Sequence, residues 1–504
     1  MASPLKKLLG QTAVYGLSSI VGRFLNYLLT PLYTSSLVFQ PEQYGIITEM
    51  YAYVAFLVVV LTYGMETAFF RFYSENKNNQ AKVFSTALWS LIISSFTFIA
   101  LVSIFAQPIA DFLGYPNHKE YISWFGIIVG LDALVAIPLA KLRAENRSIK
   151  FAVVHIVSIV VNIGLNLFFL AYCLPKYKAG DINWLVETFY DPETGVGYVF
   201  IANLIASMSR FVIMLPDMIR TRFGIDLALW RKMIRYAAPL LIAGLAGIVN
   251  ETLDRALLKW MLWTDHGEVA TMTQLGIYGA CYKLSIIITL CVQAYRYAAE
   301  PFFFDQQKSA SAPATYARML HLFFAFVMMV FLMVTLFIDV FKYFIPNQVY
   351  WSGLDIVPIL LLANVFLGVY YNLSAWYKLT DRTLYGSYIA IGGALITIGL
   401  NLALIPILGF RGSAWATLAC YFSMAAVSYY LGQRFFPVPY SLKKLGLYFI
   451  VPLVLYYAGT YLGTDALSSV IKLGMMASFL AIVYYFEFYS KTPSIIEHEH
   501  RDHQ

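Results

Sequence analysis

The chain has 504 residues, of which 60% are hydrophobic and only 12% are charged, and its mean hydropathy is +0.67. A typical soluble domain is about 45–50% apolar and about 25% charged, so an ordinary soluble protein is excluded. Each membrane-spanning helix needs roughly 20 apolar residues, which leaves room for about 14 or 15 spans. The composition predicts an all-α membrane protein and excludes a membrane-anchored enzyme with a separate globular domain.

Long apolar runs, interrupted by polar residues, predict fourteen transmembrane spans. In chain order they cover residues 10–33, 45–69, 83–107, 121–140, 151–174, 197–216, 236–258, 273–298, 317–339, 353–377, 384–408, 412–432, 446–463 and 466–489. Nearly all connections between them are short, and the longest runs from about residue 174 to residue 197.

The net charge of +7 is expected to set membrane topology rather than to bind nucleic acid. With a cytoplasmic N-terminus, 23 of the 35 Lys and Arg residues fall in inside segments. Only six fall in outside loops, namely Lys119, Lys176, Lys178, Lys259, Lys342 and Arg411. This asymmetry predicts an even number of spans and cytoplasmic termini.

The chain also repeats itself at an offset of 235 residues. The sequence IGLNL at residues 163–167 recurs at 398–402, and NRS at 146–148 corresponds to DRT at 381–383. A weaker similarity relates Tyr44-Gly45-Ile46 to Leu275-Gly276-Ile277. Corresponding spans are six apart, so both copies should point the same way. We expect an N-lobe at 1–220, a cytoplasmic linker at 221–235, a C-lobe at 236–435, two extra helices at 436–490 and a cytoplasmic tail at 491–504.

Two facing six-helix lobes with short loops are typical of an alternating-access transporter. Three sequence motifs identify the kind of transporter more specifically than this architecture does. Residues 15–27 read YGLSSIVGRFLNY, residues 41–45 read PEQYG and residues 63–72 read YGMETAFFRF. With fourteen spans in a 6 + 6 + 2 arrangement, the chain resembles the oligosaccharide-flippase branch of the MOP superfamily. Within that branch it is similar to the Wzx-like polysaccharide-biosynthesis proteins.

The resemblance implies a MOP/MATE-like fold and the flipping of an undecaprenyl-pyrophosphate-linked saccharide across a bacterial cytoplasmic (inner) membrane. The related lipid II flippases carry an arginine on the first helix near a cationic cavity, and Arg23 is the matching position here. Besides the lipid-linked saccharide, membrane lipids and polysaccharide-assembly proteins are the expected partners, without nucleic acid. No motif specifies the saccharide.

Charged side chains deep in a span are costly and usually face a bundle interior or a water-filled cavity. Arg23 lies about 20 Å into span 1, at 1.5 Å per residue, and Lys283 is similarly deep in span 8. Arg210 and Arg296 lie nearer the cytoplasm, where they could bind the pyrophosphate or extend to the interface. Arg255 follows Glu251 by four residues, so a helix-surface ion pair competes with a binding role. These five cations are the candidate substrate-binding residues.

Four acids, Glu49, Glu66, Asp132 and Glu300, are candidates for coupling transport to H⁺ or Na⁺ or for a gate. For Glu66, an ion pair with the nearby Arg71 is the simpler alternative. The asparagines within spans could contact sugars, although interhelical hydrogen bonds are the commoner role. They are Asn162, Asn166, Asn250, Asn364, Asn372 and Asn401.

No catalytic or metal-binding constellation is recognisable, so we expect neither an enzyme nor a bound metal or cofactor. The phosphate-binding GxxxxGK[ST] and the zinc-binding HExxH motifs are missing, and no long exterior loop carries paired acids. Two alternatives remain on the sequence alone. One is a MATE-like small-molecule antiporter, whose cavity would be acid-dominated, and the other is an integral-membrane glycosyltransferase or ligase.

Overall fold

A computed structural model of the chain describes residues 21–222, 224–306, 312–380 and 382–489. Over these ranges the regular structure is helical, and no strand occurs in them. The principal helices are α1 Thr30–Tyr33, α2 Pro41–Thr62, α3 Gln80–Ile104, α4 Lys119–Ala144, α5 Ser148–Asn166, α6 Gly197–Ile219, α7 Leu227–His266, α8 Glu268–Gln306, α9 Ala312–Leu336, α10 Val357–Leu373, α11 Leu384–Leu408, α12 Phe410–Phe435, α13 Leu442–Gly459 and α14 Ala466–Tyr484.

Shorter helical pieces connect or extend these helices. The α-helical ones are Met65–Glu75, Ala106–Leu113, Leu174–Lys178, Trp184–Phe189, Ile338–Phe341 and Ala375–Leu379. Single turns of 3₁₀-helix lie at Lys77–Asn79, Pro192–Thr194 and Lys342–Phe344, and a longer 3₁₀ stretch covers Gln348–Ile356. Two π-helical segments, Leu167–Cys173 and Tyr485–Tyr489, extend α5 and α14.

Twelve helical segments in the described residues are long and apolar enough to cross a membrane. They coincide with predicted spans 2–11, 13 and 14, so the multi-pass helical architecture is confirmed. Predicted span 12 is the 26-residue helix α12, which is not among the twelve. Predicted span 1 begins outside the described residues, so the count of fourteen stays a prediction.

Several predicted boundaries were wrong. Span 2 is not continuous, because Tyr63 and Gly64 have φ of 35° and 70° and separate α2 from the helix Met65–Glu75. Helices α7 and α8 run to 40 and 39 residues, well beyond the apolar windows. Hydropathy detects only the apolar part of a helix, so polar ends that continue it are missed. Lys259, predicted to lie in an outside loop, is therefore inside α7.

The helices form two compact units. Unit 1 holds the described residues up to Lys283, with Ile345–Ser352 and Gly386–Cys420. Its core includes the fully buried side chains of Met65, Phe69 and Leu88. Unit 2 holds Leu284–Phe344, Gly353–Tyr385 and the described residues from Tyr421 onward, with Phe331, Tyr448 and Phe479 fully buried. The units divide within α8, and the predicted lobes at 1–220 and 236–435 stay a prediction.

The repeated IGLNL segments have the same local structure in both places. Asn166 and Asn401 are fully buried, and each side-chain amide donates to the carbonyl four residues earlier, at 2.8 Å to Asn162 and 2.7 Å to Thr397. Each side-chain oxygen accepts a hydroxyl from another helix at 2.8 Å, from Tyr33 for Asn166 and from Ser413 for Asn401. The bonds within each helix are alike, but the hydroxyl partners lie at non-corresponding places, so the equivalence of the two asparagines stays a prediction.

A close crossing joins α2 and α8 at two glycines of the weaker repeat. A Cβ atom on Gly276 would lie 1.9 Å from the carbonyl oxygen of Pro41, and one on Gly45 would lie 2.2 Å from that of Met272. Only glycine permits helix backbones to approach so closely. The crossing lies near the ends of α2 and α8 that are predicted to face the exterior.

The predicted topology can be tested at two exposed loop residues. In a Cys291→Ser background, Asn79→Cys should react with a membrane-impermeant maleimide only from the cytoplasmic side, and Asp191→Cys only from the exterior. Cys173, Cys281 and Cys420 are buried and should contribute little signal. Labelling of both introduced cysteines from one side would contradict the topology.

Candidate substrate-binding residues

Arg255 on α7 is held in a defined orientation within unit 1. Its Nη1 lies 3.2 Å from Asp254 Oδ1 and also donates to the backbone carbonyl of Glu251. Its guanidinium lies 4.5 Å from the ring centroid of Tyr282 on α8. Tyr278, one turn before Tyr282, donates a hydrogen bond to Asp254. The predicted pair with the Glu251 carboxylate is therefore wrong, because the adjacent Asp254 takes that role.

Lys283 follows directly after Tyr282 and is half-buried. It is near enough to Arg255 for their charges to interact. Among the described residues it has no ion-pair or hydrogen-bond partner. A second cation thus lies near Arg255, whose acidic neighbours are Asp254, at ion-pair distance, and Glu251, whose charge also acts on it. Lys283 is therefore a charge within an apolar helix that has no described acid within ion-pair distance, and an anion would neutralise it.

Arg23 lies on an accessible polar surface of unit 1. Its side chain is exposed, and it has no ion-pair partner in the described part of the chain. Asn26, three residues later and so on the same helix face, accepts a 3.0 Å hydrogen bond from the half-buried Asn162 of α5. Accessible polar groups at membrane depth are expected beside water rather than lipid.

Arg296 lies in unit 2 within an aromatic environment. Its guanidinium is 4.0 Å from the ring centroid of Tyr371 at the end of α10. On the same two helices, Tyr295 accepts a hydrogen bond from Asn372. Aromatic faces and amide groups are the chemistry that binds sugar rings, and a guanidinium binds phosphate.

Glu49 forms a fully buried ion pair with Lys259. The Nζ atom of Lys259 lies 2.9 Å from both carboxylate oxygens, and the two side chains are 0% and 3% exposed. Tyr115 donates a further hydrogen bond to Glu49. Lys259 also donates to the Leu113 carbonyl and lies over the Tyr115 ring at 4.2 Å. Glu49, a predicted coupling acid, is therefore neutralised by Lys259 and hydrogen-bonded by Tyr115.

Two other predicted acids pair with arginines at the end of unit 1 predicted to be cytoplasmic. Arg210 lies 2.7 Å from Asp132, so a candidate substrate cation and a candidate coupling acid form one half-buried pair. Glu66 pairs with Arg143 of α4. The alternative pair with Arg71 is wrong, because Arg71 binds Glu75 at 2.9 Å. The side chain of Glu300 lies outside the described residues.

Most of the candidate asparagines form interhelical hydrogen bonds. Asn250 accepts from Thr397 at 3.2 Å and donates to the Ala390 carbonyl at 3.1 Å. Asn364 donates to Ser285 at 3.2 Å. Like Asn372, Asn166 and Asn401, these side chains are buried, whereas Asn162 is accessible. Only Asn162 retains the exposure that contact with a sugar requires.

The structure brings Arg255 and Lys283 together but adds partners that the sequence did not reveal. Asp254, Tyr278 and Tyr282 orient Arg255. The signal available in the sequence was the spacing of Tyr278 and Tyr282, which lie about one helical turn apart on α8. Tyr115 lies in a connection that carried no motif. Over the described ranges, no group of three His, Cys, Asp or Glu side chains could hold a metal ion.

The fold is similar to that of known transporters. The lipid II flippase MurJ in an inward closed conformation superposes with a TM-score of 0.70 over 93% of this chain and 98% of that one, at 14% identity. An inward-facing multidrug-resistance MATE transporter of the MOP superfamily gives 0.61 over 84% and 95%, at 13% identity. A MATE protein in the straight conformation gives 0.60 over 85% and 95%, also at 13% identity. At these identities the similarity establishes the fold alone.

Sequence comparison identifies the family. A search of curated proteins gives no match. The profile of the family described as "Polysaccharide biosynthesis protein" matches residues 8–307, which is more than half of the chain. The matched region includes Arg23, Arg255 and Lys283 as well as both glycines of the α2–α8 crossing. The chain is therefore a multi-pass membrane protein of the polysaccharide biosynthesis protein family, with a fold similar to that of MurJ and MATE transporters.

Proposed function

We propose that this transporter flips an undecaprenyl-pyrophosphate-linked oligosaccharide from the cytoplasmic to the outer leaflet of a bacterial cytoplasmic membrane. The carrying observation is that Arg255 and Lys283 lie close together in apolar helices, since the Arg255 guanidinium is 4.5 Å from the ring of Tyr282, the residue directly before Lys283. A pyrophosphate loses hydration when it leaves water, and guanidinium and ammonium groups replace that hydration with charge-assisted hydrogen bonds. Arg255, fixed by Asp254 and Tyr282, supplies a defined donor geometry, and Lys283 supplies charge.

Alternating access is supported by the contacts of α2 with α7 and α8. They are the Gly45–Gly276 crossing and the Glu49–Lys259 ion pair. Tyr44 of α2 also makes an edge-to-face contact at 6.1 Å with Tyr350 of the 3₁₀ stretch Gln348–Ile356. All lie toward helix ends predicted to face the exterior. Such contacts close that side, as an inward-open or occluded state requires, and would have to separate for release.

A reconstituted translocation assay tests the proposal. In proteoliposomes with a fluorescent undecaprenyl-pyrophosphate saccharide, Arg23→Ala should abolish flipping while membrane insertion and abundance stay near normal. Arg23→Lys should recover only part of the rate, because the bidentate geometry is lost. Lys283→Ala should reduce the rate less, and lowering the salt concentration should partly mask its loss.

Lys119→Gln is the matched control, since Lys119 is an exposed cation at the start of α4. Its rate should equal that of the wild type. Normal flipping by Arg23→Ala, or failure of that variant to accumulate, would show that Arg23 has a structural role and not a binding one.

We also propose that transport is coupled to H⁺ or Na⁺ through Asp132. The carboxylate of Asp132 is half-buried with Arg210, so it can exchange a proton or ion with water. Glu49, by contrast, is fully buried in its ion pair with Lys259. Asp132→Asn should therefore flip substrate at a rate that no longer responds to an imposed pH or sodium gradient. A variant that still responds fully would exclude Asp132 as the coupling residue.

A second candidate, export of small molecules, is favoured by the fold similarity to MATE transporters. The same proteoliposomes distinguish the two functions. Uptake of cationic dyes without flipping of lipid-linked saccharide would support the antiporter and contradict the flippase.

A further inference from the structure

Two adjoining cavities lie beside the start of α7, apart from the cations discussed above. The first, of about 510 Å³, is an apolar slot between α3, Tyr63 and the first turns of α7. The second, of about 720 Å³, is a polar basin between α3, α4 and the segments 220–222 and 224–226. Ile225 lines both. Both volumes are in the range of about 300–1,000 Å³ typical of ligand sites.

The slot is apolar because its polar atoms bond to one another. Ser90 Oγ accepts a 2.7 Å hydrogen bond from the indole of Trp230 and lies 2.5 Å from the Tyr63 hydroxyl. The remaining wall consists largely of hydrocarbon, including Ile93, which is 51% exposed. Such a slot fits an alkyl chain and has few hydrogen-bonding groups for a polar molecule.

The basin carries an excess of positive charge. Lys82, Lys141, Arg220 and Arg222 line it, against one acid, Asp226. A hydrogen bond from Lys82 and one from the Leu229 amide hold the pKa of Asp226 below its usual value, so this pair is locally neutral. Arg220 and Arg222 are exposed and have no ion-pair partner within the described ranges. Their charges are available to an anion.

The basin is preformed, because Arg222, Gly224 and Asp226 are fixed to α3. Ser85 Oγ lies 2.9 Å from the Arg222 carbonyl oxygen and 2.7 Å from that of Gly224. The Asp226 amide donates to Thr86 Oγ1 at 3.2 Å. Little ordering of the backbone would therefore be required on binding.

We propose that this composite site binds an anionic glycerophospholipid of the predicted cytoplasmic leaflet, with the phosphate between Arg220 and Arg222 and one acyl chain in the slot. Basic pockets between transmembrane helices on the cytoplasmic side suit anionic headgroups. The adjoining slot adds the second requirement, a hydrocarbon chain attached to the anion. The site is independent of the proposed transport function and of the cations that carry it.

The test uses the full-length protein in nanodiscs of neutral phosphatidylcholine. Phosphatidylglycerol with brominated acyl chains should quench the fluorescence of Trp230 in a saturable way, and Trp230→Phe should remove the quenched component. Arg220→Gln/Arg222→Gln should weaken binding at least about tenfold. Ala238→Phe, which fills the slot, should also weaken the binding of phosphatidylglycerol without changing the net charge.

Arg231→Gln/Lys232→Gln is the matched control, because it also removes two exposed cations from the same surface without altering the basin lining. It should leave binding within about twofold of the wild type. Equal thermal unfolding of the two double variants would confirm that both are folded.

Three results would overturn the proposal. One is equal quenching by brominated phosphatidylcholine, which would mean that the headgroup is not recognised. Another is full displacement by inorganic phosphate, which would mean that the chain is not bound. The third is preferential displacement by undecaprenyl phosphate, which would assign the site to an isoprenoid carrier.

Discussion

Replacing Lys259 by methionine is expected to destabilise the protein by about 3–5 kcal/mol, because it leaves Glu49 as a buried carboxylate without its counter-ion. Glu49 is 0% exposed, so neither water nor a change of rotamer can compensate. Tyr115 would still donate one hydrogen bond, which cannot replace the positive charge. The apparent midpoint of thermal unfolding in detergent should fall markedly.

The ion-pair interpretation also predicts the stability of a variant that lacks both charges. Glu49→Gln/Lys259→Met removes both charges and should recover much of the lost stability, since a pair replaced by neutral groups is often close to neutral in free energy. Lys342→Met is the matched control. Lys342 pairs with Asp339 at 2.7 Å at the surface, where such pairs contribute little. If Lys259→Met were as stable as Lys342→Met, the buried pair would not exist as described.

Adding a methyl group to Gly276 is expected to force α2 and α8 apart at their crossing. The new Cβ atom would lie 1.9 Å from a backbone carbonyl of the other helix, which no side-chain rotation can relieve. Overpacking of this kind costs typically about 1–3 kcal/mol when the structure can adjust. Here the adjustment must move a helix backbone, so Gly276→Ala should destabilise the closed exterior side.

The native Cys281 reports on that change, because it lies five residues beyond Gly276 and is fully buried. In a Cys291→Ser background, Gly276→Ala should increase its rate of maleimide labelling severalfold, whereas Cys173 and Cys420 should stay unreactive. Gly247→Ala on α7 is the control, since a Cβ there would meet nothing within 4 Å. Unchanged labelling of Cys281 in the Gly276→Ala variant would show that the crossing is more open than described.

Much of the fold was predictable because a lipid bilayer permits few backbone structures. Every backbone polar group must be satisfied within the segment, so an apolar run of sufficient length becomes a helix. Twelve predicted spans coincide with such helices for this reason. The interruption at Tyr63-Gly64 was not predicted, since the hydropathy of these residues does not differ enough to indicate a left-handed turn.

The partners of the deep charges were the part that sequence reasoning could not supply. Glu49 and Lys259 are 210 residues apart, and hydropathy placed the lysine in a loop. Arg143 was counted only as a topology-setting cation, yet it is the partner of Glu66. Depth in a span indicates that a charge needs compensation, but which helix provides it depends on tertiary packing.

The crossing of Gly45 and Gly276 has a further meaning if the two glycines are read as counterparts in the predicted duplication. A residue that contacts its own counterpart lies on the axis relating two copies, as in the isologous interface of a homodimer. A six-helix ancestor could have made this contact with a second copy of itself. Fusion of the two genes would then have required no new surface at the crossing.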